Sequence, residues 1–199
     1  MNYTKKSLRI NPDEHNEMDK KPEFTMSRGK ILPKTNKVYH NTLSNARPMP
    51  GKLTWGAPIW IFFHTLAAKV KDSDFDKLKD GMFRLIRTVC DNLPCYMCQQ
   101  HASEYMKRVN FIAIQNKIHL QKMLFIFHNN VNERLNYPQY SYDNINEYED
   151  KIFIEVANEF MLHFQKRNVN SHLISQEIYR MAQVKSVKKW ISENLNSFQ

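Results

Sequence analysis

Two of the three cysteines, Cys95 and Cys98, are separated by two residues in the stretch LPCYMCQQH. Thiols at this spacing can bind zinc, form a structural cross-link or exchange electrons as a disulfide. Pro94 interrupts the preceding helical pattern, so we expect Cys95 at the N-terminus of a new helix. The amides and dipole of a helix N-terminus favour the thiolate, which is the form that attacks disulfides and electrophiles. The pair therefore predicts either a redox site or part of a metal site.

A zinc site with three sulfurs and one nitrogen can be assembled from four residues, Cys90, Cys95, Cys98 and His101. This ligand set is one that structural zinc uses. Cys90, however, follows an apolar helical face that continues through Val89, which is typical of a small core residue. Both interpretations of Cys90 are open at this level.

Two other stretches place aromatic and polar side chains at helical spacing. Trp60 and His64 in WIFFH are four residues apart and share a helix face. They could form the wall of a site for a flat heteroaromatic ligand, or an ordinary buried pair. In FHNNVN, His128 and Asn132 are also four apart, with Asn129 beside them. Such residues lower helix propensity and need partners when buried, so they indicate a polar patch, with a solvated face as the alternative.

Apolar residues recur at spacings of three and four from residue 55 onward, which predicts helices. Four helices are expected within 55–136, the second capped by Ser73 and the third running over about 95–109. Two further amphipathic segments follow, the last with a break near Val184. Only four glycines occur, which argues against a glycine-rich phosphate loop. The predicted fold class is all-α.

The net charge of +9 is concentrated at the beginning of the chain. Residues 1–54 hold eleven Lys/Arg against five Asp/Glu, together with five of the eight prolines. We interpret this stretch as a flexible basic segment, and nucleic acid is not the expected partner. No run approaches eighteen apolar residues and the first residues lack the apolar core of a secretory signal. The expected location is therefore cytoplasmic or nuclear, where structural disulfides are rare and a close cysteine pair is more often catalytic, redox-sensing or metal-binding.

Together, the three motifs resemble the Erv/ALR family of FAD-linked sulfhydryl oxidases. The resemblance spans about residues 55–149 and rests on a Trp-x-x-x-His, a Cys-x-x-Cys and a His-Asn-x-Val-Asn. The residues that match are Trp60, His64, Cys95, Cys98, His128, Asn129, Val131 and Asn132. The wording of LPCYMCQQHA and NYPQYSYDN is most similar to members encoded by large cytoplasmic DNA viruses.

The resemblance implies a four-helix bundle that binds FAD, with a short fifth helix. It divides the chain into the basic segment 1–54, an FAD-binding sulfhydryl oxidase domain 55–149 and a C-terminal helical extension 150–199. Cys95 and Cys98 would be catalytic, and no metal is expected. The implied FAD-binding residues are Trp60, His64, Cys98, His101, His128, Asn129, Val131 and Asn132.

By the same resemblance, the function is FAD-dependent thiol oxidation that forms disulfides in protein substrates. Electrons would pass from a substrate dithiol through Cys95–Cys98 to FAD and then to O2, which gives H2O2. The implied partners are protein thiols or a thioredoxin-like intermediary, and a second copy of the chain bound through the first two helices. No membrane partner is expected, and a viral member would act in the host cytoplasm or the virion. The alternative is a zinc-stabilised helical binding module whose basic tail contacts nucleic acid.

Overall fold

The structure, a computed structural model, describes residues 55–166 and 174–199. This part of the chain is helical, and its only β feature is one isolated bridge. The predicted all-α fold class is confirmed. The basic segment 1–54 lies outside the described residues. The α-helices are α1 (Gly56–Lys69), α2 (Asp72–Cys90), α3 (Tyr96–Arg108), α4 (Lys117–Arg134), α5 (Phe153–Phe164) and α6 (Ile174–Asn194), and the 3-10 helices are Phe111–Ala113, Tyr142–Tyr148 and Leu195–Ser197.

The first four helices surround a hydrophobic core in which α1 packs against α4 and α2 packs against α3. All six of the described α-helices contribute buried apolar side chains to this core. None of the described helices combines the length and apolar character that crossing a membrane requires. The large apolar side chains of α1, α2 and α4 that are at most 1% exposed include Phe62, Phe63, Leu66, Met82, Ile86, Leu120, Met123 and Leu124.

The start of α2 differs from the prediction. Ser73 is not the cap, because the helix begins at Asp72 and Lys71 occupies the N-cap position without a side-chain hydrogen bond. Two carboxylates, Asp72 and Asp74, lie in the first turn instead. Their negative charge is favourable beside the positive end of the helix dipole, so this helix start does not depend on a hydroxyl cap.

The predicted break near Val184 is also wrong, because α6 runs without interruption from Ile174 to Asn194. This stretch contains neither glycine nor proline to end the helix. Val184, Val187 and Ile191 are all at most 5% exposed and continue one buried stripe. Burial of that stripe holds the helix together across the expected break.

The C-terminal helices pack on the outer faces of α1 and α2. The Phe160 ring of α5 stacks on the Phe62 ring of α1, with centroids 4.1 Å apart and planes 6° from parallel. Trp190 of α6 lies so close to α2 that a Cβ built on Gly81 would be 2.5 Å from its Nε1. Glycine at this position therefore allows the close approach of the two helices.

The end of the chain is joined to the turn between α1 and α2. The Lys71 amide donates to the Ser197 carbonyl at 3.0 Å, and the Gln199 amide donates to the Lys69 carbonyl at 2.8 Å. Phe198 forms the isolated bridge with Val70 and is itself 7% exposed. The regions on either side of the predicted boundary at residue 149 thus share one core.

Candidate active site

The Cys95–Cys98 disulfide lies at the start of α3. Its two Cα atoms are 5.2 Å apart, and both side chains are half-buried. Cys95 is the N-cap residue, and its Sγ accepts a hydrogen bond from the Cys98 amide at 3.2 Å. The Gln99 amide closes the first turn on the Cys95 carbonyl at 2.8 Å. Because helix N-terminal amides carry partial positive charge, a reduced Cys95 sulfur would be held where the thiolate is favoured.

The connection between α2 and α3 is anchored through Asp91. Ser103 donates from Oγ to Asp91 Oδ1, and Gln99 donates from Nε2 to the Asp91 carbonyl. Asn92 donates from Nδ2 to the Thr88 carbonyl at 2.7 Å, which extends the hydrogen bonding of α2 past its last residue. These bonds fix the orientation of the disulfide-bearing turn relative to α2.

The structure does not support the zinc alternative. Cys90 is the last residue of α2, is 1% exposed and belongs to the hydrophobic core. Burial, followed by the neighbouring Asp91 carboxylate, raises the pKa of the Cys90 thiol far above its ordinary value, so it stays protonated. No group of three or more potential ligands in the described part of the chain could hold a metal ion. Cys90 is a small core residue, and Cys95 and Cys98 are bonded to each other.

The predicted first-helix and fourth-helix motifs come together between α1 and α4. The Trp60 indole stacks on the His128 imidazole, with centroids 4.1 Å apart and planes 10° from parallel. Nε2 of His64 lies 3.1 Å from Nδ1 of His128, at hydrogen-bonding distance. Residues 64 positions apart in sequence therefore form one aromatic and imidazole cluster, in which Trp60 and His128 are partly exposed and His64 is buried.

Both histidines of this cluster are held neutral. Burial, and then the proximity of His128, lowers the pKa of His64 from 6.5 to about 3. Burial also lowers the pKa of His128 to about 4. Of the two facing nitrogens, one must donate and the other accept, which neutral imidazoles can satisfy. The cluster is therefore uncharged near neutral pH.

Asn129 and Asn132 hold the loop that follows α4. The Asn129 side chain makes two hydrogen bonds with the Tyr140 backbone, from Nδ2 to the carbonyl at 3.0 Å and from the Tyr140 amide to Oδ1 at 2.7 Å. Asn132 donates from Nδ2 to the Pro138 carbonyl at 3.1 Å. The helix ends at Arg134, and Asn136, two residues further on, has a left-handed φ of 54°. The predicted polar patch thus has loop backbone as its partner, and its direct contact with a cofactor stays a prediction.

Two site residues, Tyr140 and Tyr148, were missed by sequence reasoning. Tyr140 stacks on His128 and Tyr148 stacks on His64, each with ring centroids 4.9 Å apart. The stretch NYPQYSYDN, which contains Tyr140 but not Tyr148, predicts only a turn. Its three tyrosines are the one feature that could have indicated an aromatic contact. Lys69 Nζ donates to the Glu149 carbonyl at 2.9 Å and ties this region to α1.

The remaining predicted residues lie near this cluster or on the same helices. His101 is half-buried one turn after Cys98; burial, followed by the charge of Arg134, lowers its pKa, and a hydrogen bond with Asn130 opposes that effect. His101, on α3, therefore faces α4. Val131 is half-buried and packs against the core. A role for either side chain in cofactor binding stays a prediction.

A chain of ring contacts connects the cluster to the disulfide-bearing helix. Trp60 lies 5.1 Å from Phe127, and Phe127 stacks on Tyr105 of α3 at 4.5 Å. The cluster also contains a buried polar atom, Nδ1 of His64, that has no hydrogen-bond partner among the described residues. Flat walls, neutral imidazoles and an unpaired nitrogen fit a planar heteroaromatic group with hydrogen-bonding edges.

A disulfide at a helix N-terminus, together with an aromatic and imidazole cluster in the same helical bundle, is typical of a thiol–disulfide redox protein that holds a planar cofactor. The model of the Erv1/Alr family matches residues 57–151. The chain belongs to this family, which confirms the resemblance predicted from its motifs. All predicted site residues lie within the matched range, whereas α5 and α6 follow it.

The chain is similar to viral proteins over the same region. It is 37% identical over 84 residues to the FAD-linked sulfhydryl oxidase of an African swine fever virus isolate, which covers 42% of this chain and 70% of that protein. It is 35% identical over 86 residues to a protein of Invertebrate iridescent virus 3, which covers 43% of this chain and 58% of the relative. No solved structure matches the chain.

Proposed function

We propose that this chain is an FAD-linked sulfhydryl oxidase that forms disulfide bonds in protein substrates. The observation that carries the proposal is the Cys95–Cys98 disulfide at the start of α3, with the Cys95 sulfur bonded to a helix amide. A pair used only for cross-linking would not need a position that favours the thiolate. Family membership and similarity to the African swine fever virus oxidase support the same activity.

The exchange step uses only the chain's own sulfurs and those of the substrate. A substrate thiolate attacks Sγ of Cys95, the 95–98 bond breaks, and Cys98 leaves as a thiolate while a mixed disulfide forms. The second substrate thiolate then attacks the substrate sulfur of that mixed disulfide and releases Cys95. The substrate becomes a disulfide, and its two electrons remain on the two enzyme sulfurs. The helix N-terminus stabilises Cys95 as the leaving thiolate.

FAD, when bound, would accept these two electrons and pass them to O2, which becomes H2O2. Trp60 would hold its flat rings by stacking, and the neutral imidazoles of His64 and His128 would hydrogen-bond to it. Cys98 would face the reactive ring, and Asn129 would keep the loop closed over the site. His101, Val131 and Asn132 complete the proposed contact set.

The proposed partners are protein thiols, either as direct substrates or as a thioredoxin-like intermediary. We propose the cytoplasm as the location, which for a viral member means the host cytoplasm or the virion. We also propose a homodimer through the first two helices, as the resemblance implies. α5 packs on α1 and α6 packs on α2, so such a dimer would use the faces of α1 and α2 that these helices leave exposed. Light scattering tests the dimer: a mass near 23.8 kDa excludes it, and twice that value supports it.

The activity is tested with purified protein, its absorbance spectrum and oxygen uptake during dithiothreitol oxidation. We expect flavin bands near ~450 nm that bleach with dithiol under anaerobic conditions and recover in air. Cys95→Ser and Cys98→Ser should each reduce turnover by roughly 10³-fold or more, because neither can form the exchanging disulfide.

The matched control is Cys90→Ala, which removes the third cysteine from the core. Its thiol is inaccessible, so turnover should stay near that of the wild type at a temperature where the variant is folded. A colourless wild-type protein containing one zinc per chain would overturn the proposed function. So would undiminished turnover in the Cys95→Ser variant.

A further inference from the structure

The two residues enclosed by the disulfide are both large and both exposed. Tyr96 is 68% exposed and Met97 is 58% exposed, although the cysteines on either side are half-buried. Further along the same helix, Ala102, Tyr105 and Met106 are buried against the bundle. The disulfide-bearing end of α3 therefore presents an apolar surface that the bundle does not cover.

The local chemistry keeps this surface uncharged. The first turn of α3 contains no acidic residue. Gln100, one turn further on, donates from Nε2 to the Tyr96 hydroxyl at 2.8 Å, which restrains the direction of the ring. Methionine is unbranched and polarizable, so it adapts to partners of different shape. Tyr96 and Met97 together form a surface whose shape is restrained at Tyr96 and adaptable at Met97.

The position of the disulfide brings a segment of the substrate close to this surface during turnover. In a mixed disulfide with Cys95, the substrate Cα would lie about 4.4–6.8 Å from the Cys95 Cα. Each neighbouring substrate residue is then only about 3.8 Å further along its chain. The residues beside the substrate cysteine can therefore contact Tyr96 or Met97, which are exposed next to Cys95.

We propose that Tyr96 and Met97 form the substrate-contact surface of the oxidase, and that they favour a protein segment with an apolar side chain next to its reactive cysteine. This inference rests on the proposed function and deepens it by naming the substrate class. The contact removes apolar area from water on both partners, which lowers KM for such segments. Because the surface is open and adaptable, it selects for apolar character rather than for one sequence.

The test uses two matched dithiol peptides, one with Leu and Phe beside the cysteine and one with Ser at both positions. We expect the wild-type enzyme to prefer the apolar peptide by about tenfold in kcat/KM, the low end for an apolar contact. The double variant Tyr96→Gln/Met97→Gln should lose most of that preference through a higher KM for the apolar peptide. Glutamine is a good helix former, so α3 should keep its structure.

Ile118→Gln is the matched control, because Ile118 is 57% exposed but lies at the start of α4. Its neighbour Lys117 pairs with Asp72 at the start of α2, and the disulfide-bearing turn follows the other end of α2, about 27 Å away at 1.5 Å per residue. This variant should retain the wild-type preference.

Two results would overturn the proposal: equal kcat/KM for the two peptides in the wild type, or an unchanged preference in the double variant. Failure of the proposed function has a different signature. The wild type would then oxidise neither peptide nor dithiothreitol, and both proposals would fall together.

Discussion

The stacked pair Phe62–Phe160 provides the most direct test of whether the C-terminal extension is an integral part of the enzyme. Phe160 lies on α5, outside the region matched by the family model, and is fully buried. Its ring faces Phe62, which is equally buried on α1. Phe160→Ala removes the stacked ring and leaves a cavity between the two helices.

The expected loss of stability follows from that geometry. Burying a phenylalanine side chain contributes about 1.5–3 kcal/mol, and a well-oriented aromatic pair adds about 0.5–1.5 kcal/mol. A residual cavity adds a further cost, because the surrounding helices relax only in part. We therefore expect Phe160→Ala to lower the free energy of unfolding by about 3–5 kcal/mol. For a chain of this length that corresponds to a decrease in Tm of about 6–20 °C.

The assay is urea unfolding followed by circular dichroism, with Leu162→Ala as the matched control. Leu162 lies on the same helix and is 51% exposed, so its truncation should change stability by no more than about 0.5 kcal/mol. Phe160→Ala should also reduce the flavin-to-protein ratio, because α5 supports the helix that carries Trp60 and His64. A loss below about 1 kcal/mol for Phe160→Ala would refute the docking of α5 on α1.

Three further predictions concern the histidine cluster and two anchoring side chains. In the flavin-free protein, the lowered pKa values of His64 and His128 mean that the unfolded chain binds protons from about pH 6.5 downward while the folded one does not. The free energy of unfolding, measured with urea, should have its full value above about pH 6.5 and fall by about 1.4 kcal/mol per pH unit per histidine towards pH 4. A free energy of unfolding that does not change with pH would contradict this. Asn129→Ala should cost about 1–3 kcal/mol and lower the flavin-to-protein ratio, because the Tyr140 backbone loses both partners; an unchanged ratio would argue against its role in closing the loop. Arg180→Lys should cost about 1–3 kcal/mol in thermal unfolding, because lysine cannot replace the planar fork that donates to the carbonyls at the end of α5.

The chemistry of the site was largely predictable because it depends on short spacings. Trp60 and His64 share a helix face whatever surrounds them, and the same holds for His128 and Asn132. Cys95 at a helix start follows from Pro94 and the Cys-x-x-Cys spacing. The residue types therefore indicated which helix faces carry aromatic and polar side chains, and the resemblance to the family predicted that these faces belong to one site.

The missed features depend on contacts between distant parts of the chain. Tyr140 and Tyr148 belong to a turn and a 3-10 helix without strong periodicity, so only the folded loop shows that they stack on the histidines. The break predicted near Val184 is absent because burial of the apolar stripe of α6 against α2 outweighs the local sequence pattern. Asn129 was recognised as unusual, but its partner is the backbone of a loop eleven residues away.

Helix α1 connects the proposed chemistry to the C-terminal extension. Trp60 and His64 contribute to the cluster with α4, whereas Phe62 stacks on α5. Because one rigid helix carries both contacts, the extension can hold Trp60 and His64 in place through the Phe62 contact. The segment that follows the family match, which carries α5 and α6, therefore has a structural role: it covers the apolar face of α1 and α2 within the same chain. A second copy of the protein is not needed to bury that face.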